Sequence, residues 1–154
     1  MNTEKGFTLI EVLIVLTIIT MLAAVVIIAI NPARQFAQAR NTQRWAAVNS
    51  ILNATHQNMV DNDGNFDFSG CGATEIPTTS AQVIASTGTN AVDLCGCLVP
   101  TYVAELPVDP STGYYNSCSD YDTGYEILQS GTTTGRITIS APDAELNETI
   151  QVSR

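Results

Sequence analysis

An almost unbroken run of apolar residues extends from Phe7 to Ile30, and Glu11 is the single charged side chain within it. A helix that is apolar on all sides has no face to turn towards water, and about 20 such residues cross a bilayer. The run therefore predicts a membrane-spanning helix over residues 7–30. Glu11 is unusual there, because an ionised carboxylate in hydrocarbon is costly.

A buried core helix and a cleaved secretory signal are the two alternatives for this run. The apolar region of a secretory signal has about 7–15 residues and ends at small residues that are recognised for cleavage. The run that begins at Phe7 is longer, and Pro32 stands where such a cleavage would have to occur. A retained membrane helix is therefore expected.

Beyond Ile30 the apolar positions recur at steps of three and four, which is typical of a helix with one buried face. The predicted stripe consists of Trp45, Val48, Ile51, Leu52, Thr55 and Met59. The basic and amide side chains that fall mostly outside it are Arg34, Arg40, Arg44, Asn49, Asn53 and Gln57. We expect one helix over residues 7–60, bent at Pro32 and about 80 Å long at a rise of 1.5 Å per residue.

The amphipathic half of this helix, residues 31–60, needs a body to pack on, and residues 61–154 are expected to supply it. Residues 61–70 are rich in turn formers and end the helix. Residues 71–97 have few large apolar side chains, so an irregular loop is expected there, within a variable region over residues 61–110. Four short runs rich in β-branched and aromatic residues then predict an antiparallel sheet of three or four strands within 111–154. The predicted fold class is α+β.

The charges are unevenly distributed along the chain. Four of the six basic residues lie within residues 1–44, whereas 13 of the 15 acidic residues lie within residues 45–154. An acidic body repels nucleic-acid phosphates, so no nucleic-acid binding is predicted for it. The basic residues after the apolar run weakly favour a cytoplasmic body, since positive charge tends to stay inside.

The cysteines favour the opposite orientation. All four lie beyond the apolar run, at Cys71, Cys95, Cys97 and Cys118, and an even number in a small body is typical of an extracytoplasmic domain with disulfides. A Cys95–Cys97 bond would be strained. Two pairings remain open: Cys71–Cys95 with Cys97–Cys118, or Cys71–Cys97 with Cys95–Cys118. Zinc binding by the four thiols is the less favoured alternative.

Two acidic groups are candidate calcium ligands, because Ca²⁺ prefers several close oxygens. The first is Asp61, Asp63 and Asp67 around Gly64, whose position does not fit the EF-hand loop. The second is Asp109, Asp120, Asp122 and Glu126. For both groups a solvated acidic turn is the alternative, so the metal content stays open and no other cofactor is expected.

Other short motifs carry less information. His56 is the single histidine and has no Cys or Asp partner at a ligand spacing, so a surface position is expected. Asn53-Ala-Thr55 and Asn147-Glu-Thr149 fit the N-x-S/T pattern, which is too common in sequences to predict anything by itself. No phosphate-binding glycine loop or nucleophile motif is present, so enzymatic activity is not predicted.

The sequence KGFTLIEVLIVLTII, residues 5–19, resembles the class III leader and N-terminal helix of type IV pilins and type II secretion pseudopilins. The shared features are Lys5 and Gly6 before the junction, Phe7 after it, and Glu11 at the fifth position of the processed chain. Residues 39–54 resemble the second half of the pilin helix, and residues 98–110 are similar to the loop before the pilin sheet. One departure is that the helix-kinking proline of many members falls at Ile28 here.

The resemblance implies that residues 1–6 form a leader and that a prepilin peptidase cleaves between Gly6 and Phe7 and methylates Phe7. Glu11 would serve assembly with copies of this chain or other pilins. Lys5 would lie on the cytoplasmic side of a single membrane span, with the head outside. The implied function is a structural subunit of a type IV pilus-like filament. The alternatives are a type II secretion pseudopilin of a short periplasmic pseudopilus and a monomeric membrane-anchored binding module. Pseudopilins of this kind can also bind calcium near their sheet.

Overall fold

A computed structural model describes residues 6–131 and 135–154. Contacts divide the chain after Phe36 into an N-terminal unit, called the anchor segment below, and the head, Ala37–Arg154. The predicted cytoplasmic position of Lys5 and the leader before Gly6 lie outside the described residues. The elements are α1 (Leu9–Ile30), α2 (Pro32–Asp61), β1 (Gln82–Ala85), β2 (Ala91–Val92), α3 (Cys95–Leu98), β3 (Tyr114–Ser117), β4 (Asp120–Gln129), β5 (Ile137–Ala141) and β6 (Ile150–Ser153).

The N-terminal helix is confirmed in extent, with one interruption at Asn31. Asn31 has φ of 47°, in the left-handed region that asparagine tolerates better than most residues. Pro32 then begins α2, at the position where a missing N–H is least harmful. The Asn31 side chain accepts a hydrogen bond from the Arg34 amide at 3.3 Å. Asn31 therefore ends α1 and caps α2, where the sequence predicted only a bend.

The sheet of the head is mixed and runs in the order β2-β1-β4-β5-β6, with β3 also paired to β4. The predicted antiparallel pairing holds for β3 to β6, and the long strand β4 lies between β1 and β5. Along β4 alternate side chains are buried, as expected for a strand with one face on the core. The exception to the antiparallel prediction is the β1–β2 pair, which is parallel.

The expectation of an irregular loop over residues 71–97 is wrong for its second half. That stretch supplies β1, β2 and most of the helical turn α3. The apolar runs involved are only two to four residues long, too short to show a period in the sequence. Pairing of Val83 with Glu126 of β4 holds β1 in the sheet and buries Ile84 completely. Tertiary contacts thus create strands that local sequence does not specify.

The buried face of α2 differs from the predicted stripe. Val48, Ile51 and Leu52 are buried as expected and belong to one core cluster with the inward side chains of the sheet. Full burial of each stabilises the head by about 1.5–3 kcal/mol. Trp45, however, is 39% exposed, whereas Arg44 beside it is only 1% exposed. The prediction placed these two side chains on the wrong faces because it assumed that a buried position must be apolar.

Arg44 is buried with all five of its N–H donors used. Its guanidinium forms a two-point ion pair with Asp109, with Nε at 2.6 Å from Oδ2 and Nη2 at 3.2 Å from Oδ1. Each remaining donor reaches a separate acceptor at 3.0 Å: Asn41 Oδ1, Glu145 Oε2 and Ser111 Oγ. A buried charge is tolerated only when it is paired and fully hydrogen-bonded, and this site meets both conditions.

Asp109 links α2 to the sheet. Its amide donates to the carbonyl of Thr123 in β4 at 2.8 Å, and its Oδ1 accepts from the amides of Ser111 and Thr112. Burial alone raises the pKa of Asp109, but the hydrogen bonds from Arg44 and from the Ser111 amide outweigh burial and lower it below its ordinary value. The carboxylate is therefore ionised and held as the counter-ion of Arg44.

Glu145, between β5 and β6, completes this network. Arg40 binds its carboxylate through two contacts of 2.6 Å, one from Nε and one from Nη2. Asn41 fixes its backbone by donating to the Glu145 carbonyl and accepting from the Glu145 amide, at 2.8 and 2.9 Å. Hydrogen bonds from Arg40 and Arg44 lower the pKa of Glu145 to about 2.

The four cysteines form two disulfides, Cys71–Cys97 and Cys95–Cys118. This is one of the two pairings that the sequence left open, and it leaves no thiol for zinc. The Tyr121 hydroxyl donates to Asp93 at 2.7 Å and accepts from the Cys95 amide at 3.3 Å. It thereby fixes the start of α3 against β4.

We predict that Arg44→Met, which keeps the apolar stem but removes the charge, lowers the free energy of unfolding by about 3–5 kcal/mol. The cost arises because Asp109 stays buried without its counter-ion. The matched control is Arg40→Met one turn earlier, where Glu145 keeps Arg44 and the side chain is 37% exposed, so a smaller loss is expected. Urea unfolding of the full chain in detergent measures both. Equal losses in the two variants would contradict a special role for the Arg44–Asp109 pair.

The head should lose stability in acid as Glu145 becomes protonated. Since its pKa falls from an ordinary value of 4.5 to about 2 on folding, its contribution is present above pH 4.5 and disappears as pH falls towards 2. Glu145→Gln should flatten the decline in stability over this range. Glu148, three residues after Glu145 and exposed, provides the control variant Glu148→Gln. Unfolding curves between pH 5 and 2 that are parallel for wild type and Glu145→Gln would rule out this linkage.

Candidate functional site

The surface of α1 is the largest apolar feature of the anchor segment. None of its 22 residues is buried, and large side chains such as Met21 and Ile28 are 74% and 83% exposed. By length and composition α1 is able to cross a membrane, and it is the one such helix among the described residues. A helix with this surface requires lipid or other apolar helices around it.

The hydroxyl groups within α1 are satisfied by the helix itself. Thr17 donates to the carbonyl of Ile14 at 2.7 Å, and Thr20 donates to the carbonyl of Thr17 at 2.9 Å. Such internal bonds lower the cost of placing threonine in hydrocarbon. Glu11 is then the single ionisable side chain of α1.

Glu11 lies in the first turn of α1, where Thr8 caps the helix. Thr8 has extended backbone angles, and its Oγ1 accepts from the Glu11 amide at 3.4 Å. Threonine at the cap with glutamate three residues later is the capping-box spacing, and an acidic group in the first turn also interacts favourably with the helix dipole. The T-x-x-E spacing is visible in the sequence, but Thr8 was not among the predicted functional residues.

The predicted cleavage junction, Gly6–Phe7, lies just before this cap. Residues 6–8 are not helical, and Phe7 is 83% exposed. Among the described residues other than its chain neighbours, no atom lies within 4 Å of the position that a Cβ on Gly6 would occupy. The junction is thus accessible, and Glu11 follows Phe7 by four residues, about one helical turn.

The structure does not assemble the predicted calcium ligands into a site. Asp109 is taken up by Arg44, while Asp120 accepts from Asn116 and Asp122 from the Gly124 amide, both at 2.9 Å. In the other group, Asp67 accepts from the Ser69 amide at 2.9 Å. Over residues 6–131 and 135–154, no group of three or more His, Cys, Asp or Glu side chains is arranged to hold a metal ion.

His56 lies on α2, half-buried, with its Nδ1 donating to the carbonyl of Leu52 at 2.9 Å. It borders an open groove between the end of α2 and the segment after α3. The remaining groove residues are Asn53, Gln57, Val60, Asp61, Thr101 and Tyr102. The hydrogen bond to the helix backbone explains the position of the imidazole without a catalytic role.

Comparison with known proteins identifies the N-terminal segment. A family model described as the prokaryotic N-terminal methylation motif matches residues 1–30. No curated protein and no solved structure matches the chain. The matched segment ends at the last residue of α1 and contains Gly6, Phe7 and Glu11.

The fold agrees with the motif. A long N-terminal helical region is followed by a head in which α2 packs on a small mixed sheet, an α+β arrangement of the pilin type. The apolar α1 fits a single-pass membrane anchor. Together, the N-terminal motif and this fold support placing the chain in the type IV pilin and pseudopilin family.

Proposed function

We propose that the chain is a structural subunit of a type IV pilus-like filament, cleaved between Gly6 and Phe7, methylated at Phe7 and assembled through α1. The observation that carries this proposal is the exposed apolar surface of α1 with one carboxylate, Glu11, a turn from the new N-terminus. The matched motif belongs to a structural, non-enzymatic family of proteins. A prepilin peptidase, the membrane and other pilin subunits are the corresponding partners.

We propose that Glu11 fixes the register of the assembly, which is the position of each subunit relative to its neighbours. Cleavage gives Phe7 a free amine, and methylation leaves that amine charged. A carboxylate in hydrocarbon is costly, and pairing with the Phe7 amine of an adjacent subunit removes much of that cost. A subunit that enters out of step leaves two charges unmatched, so the pair favours one register over the others.

The apolar side chains of α1 supply attraction without register. Lipid tails are as apolar as leucine, so helices in a membrane associate through close packing and polar contacts rather than through the hydrophobic effect. α1 presents similar aliphatic side chains on all sides and buries none within its own chain. The single carboxylate is therefore the group most able to distinguish one stacking position from another.

The disulfides support an extracytoplasmic head. Both bonds, Cys71–Cys97 and Cys95–Cys118, lie in the head, and disulfides persist mainly outside the reducing cytoplasm. We infer that the N-terminus faces the cytoplasm before cleavage and that the filament forms at the cell surface or in the periplasm. The acidic head gives no support for direct nucleic-acid binding.

We predict that Glu11→Gln, which keeps the shape and removes the charge, leaves membrane insertion and cleavage largely intact but yields few or no filaments. The reason is that the Phe7 amine of each entering subunit then lacks its partner. The control is Thr17→Val on the same helix, whose hydroxyl bonds only to the helix backbone, and which should assemble normally. Electron microscopy of sheared material measures assembly. Abundant normal filaments from Glu11→Gln would refute the pairing mechanism, whereas the absence of filaments from the wild-type chain would favour a monomeric anchor.

Gly6→Val should block processing. A Cβ at this position meets no atom of the described residues beyond its chain neighbours, so an effect on cleavage reports the fit of the junction in the peptidase and not a defect in folding. The variant chain is expected to stay in the membrane with residues 1–6 attached and to form no filaments. N-terminal sequencing and the intact mass of the membrane-bound chain test this. A Gly6→Val chain that begins at Phe7 would contradict the requirement for Gly6, and a wild-type chain that begins at another residue would contradict the proposed junction. The length of wild-type filaments distinguishes a surface pilus from a short pseudopilus.

A further inference from the structure

The chain contains two N-x-T sequences, and the structure separates them clearly. Asn53 lies within α2, and its side chain accepts a hydrogen bond from Arg154 at 3.0 Å. Thr55 is fully buried and donates its hydroxyl to the carbonyl of Ile51 at 2.8 Å. An enzyme that modifies Asn53 would have to unwind α2 and extract Thr55 from the core.

Asn147-Glu-Thr149 lies instead on an exposed turn between β5 and β6. The Glu148 amide donates to the Glu145 carbonyl at 3.2 Å, which closes a β-turn with Leu146 and Asn147 at its centre. Residues 146–149 are all exposed. Within the described residues, no hydrogen bond engages the Asn147 carboxamide or the Thr149 hydroxyl. Both groups that the motif requires are therefore free to enter an enzyme.

The backbone of this turn is in an unusual conformation. Leu146 has φ of 60° and Asn147 has φ of 58°. Asparagine tolerates the left-handed region, but a leucine there is uncommon, and its side chain is 41% exposed, so packing gives little compensation. Conformations of this kind concentrate at sites that serve a function.

The base of the turn is rigid although its tip is exposed. The Glu145 carboxylate is held by Arg40 and its backbone by Asn41, so the turn projects from a fixed point on α2. Residues 146–149, which follow this fixed base, are all exposed. A transferase can thus surround the tip without disturbing the core.

We propose that Asn147 is an N-glycosylation site. The donor class is an oligosaccharide linked to a polyprenyl diphosphate. Transfer forms a bond between Asn147 Nδ2 and the anomeric carbon and breaks the bond from that carbon to the diphosphate oxygen. The lipid diphosphate leaves with the electron pair, and the proton lost from Nδ2 passes to a base of the transferase. Glycans on N-x-S/T sites are bulky and solubilising, and this one would shield the exposed Leu146 side chain.

The test uses the full chain made in the cell that naturally produces it, since that cell supplies donor and transferase. Trypsin cleaves after Arg136 and releases residues 137–154, which hold the site and are free of cysteine. Mass spectrometry should show a shift in the mass of this peptide by that of an oligosaccharide, with the oligosaccharide attached to Asn147. Asn147→Gln and Thr149→Ala should abolish the shift, and Thr149→Ser should retain it. Asn53→Gln should have no effect on it.

An unshifted wild-type peptide would overturn the proposal, as would a shift that persists in Thr149→Ala. A glycan on Asn53 in place of Asn147 would overturn the structural selection between the two motifs. The N-terminal residue of the same chain is determined in parallel. A chain that is glycosylated on Asn147 but still carries residues 1–6 supports this inference and contradicts the proposed processing, so the two proposals fail separately.

Discussion

The head depends on one buried ion pair, Arg44 with Asp109. Arg44 comes from α2, while Asp109 is hydrogen-bonded to Thr123 of β4 and to the turn that follows it, so the pair joins the helix to the centre of the sheet. Neither charge reaches water, and each therefore requires the other. Glu145, which lies in the connection between β5 and β6, binds the same guanidinium. Apolar packing holds α2 against the sheet without regard to register, whereas five directed hydrogen bonds from Arg44 allow only one position.

Helix α1 of the anchor segment resembles the head in having a charged group among many apolar side chains. Its apolar side chains are interchangeable contacts, and a single carboxylate, Glu11, lies among them. In the head, a charge that is costly when unpaired selects one arrangement from many that packing alone would allow, and we propose the same role for Glu11 in the filament. In the head the partner is present in the same chain. For Glu11 the proposed partner belongs to another subunit, which makes assembly the step that satisfies it.

Much of the architecture was predictable because it follows from local pattern. The unbroken apolar run predicted α1, and the three-and-four spacing predicted α2. The β-branched runs predicted β3 to β6, and cysteine spacing reduced the disulfides to two pairings. The N-terminal methylation motif that contains Gly6, Phe7 and Glu11 is contiguous, so it was also recognisable from the sequence, although the capping role of Thr8 was overlooked.

The sequence by itself determined the long apolar helix α1, the helical character of α2 and the strand content after residue 111, because each rests on a period or a composition that neighbouring residues share. Tertiary structure decided which face of α2 is buried, since Arg44 is inside only because Asp109, 65 residues later, meets it there. It likewise made strands of residues 82–85 and 91–92, whose pairing partners lie outside the local sequence. It also separated the two N-x-T motifs, one inside a helix and one on an exposed turn. Contacts between distant residues settle such choices, and no local pattern contains them.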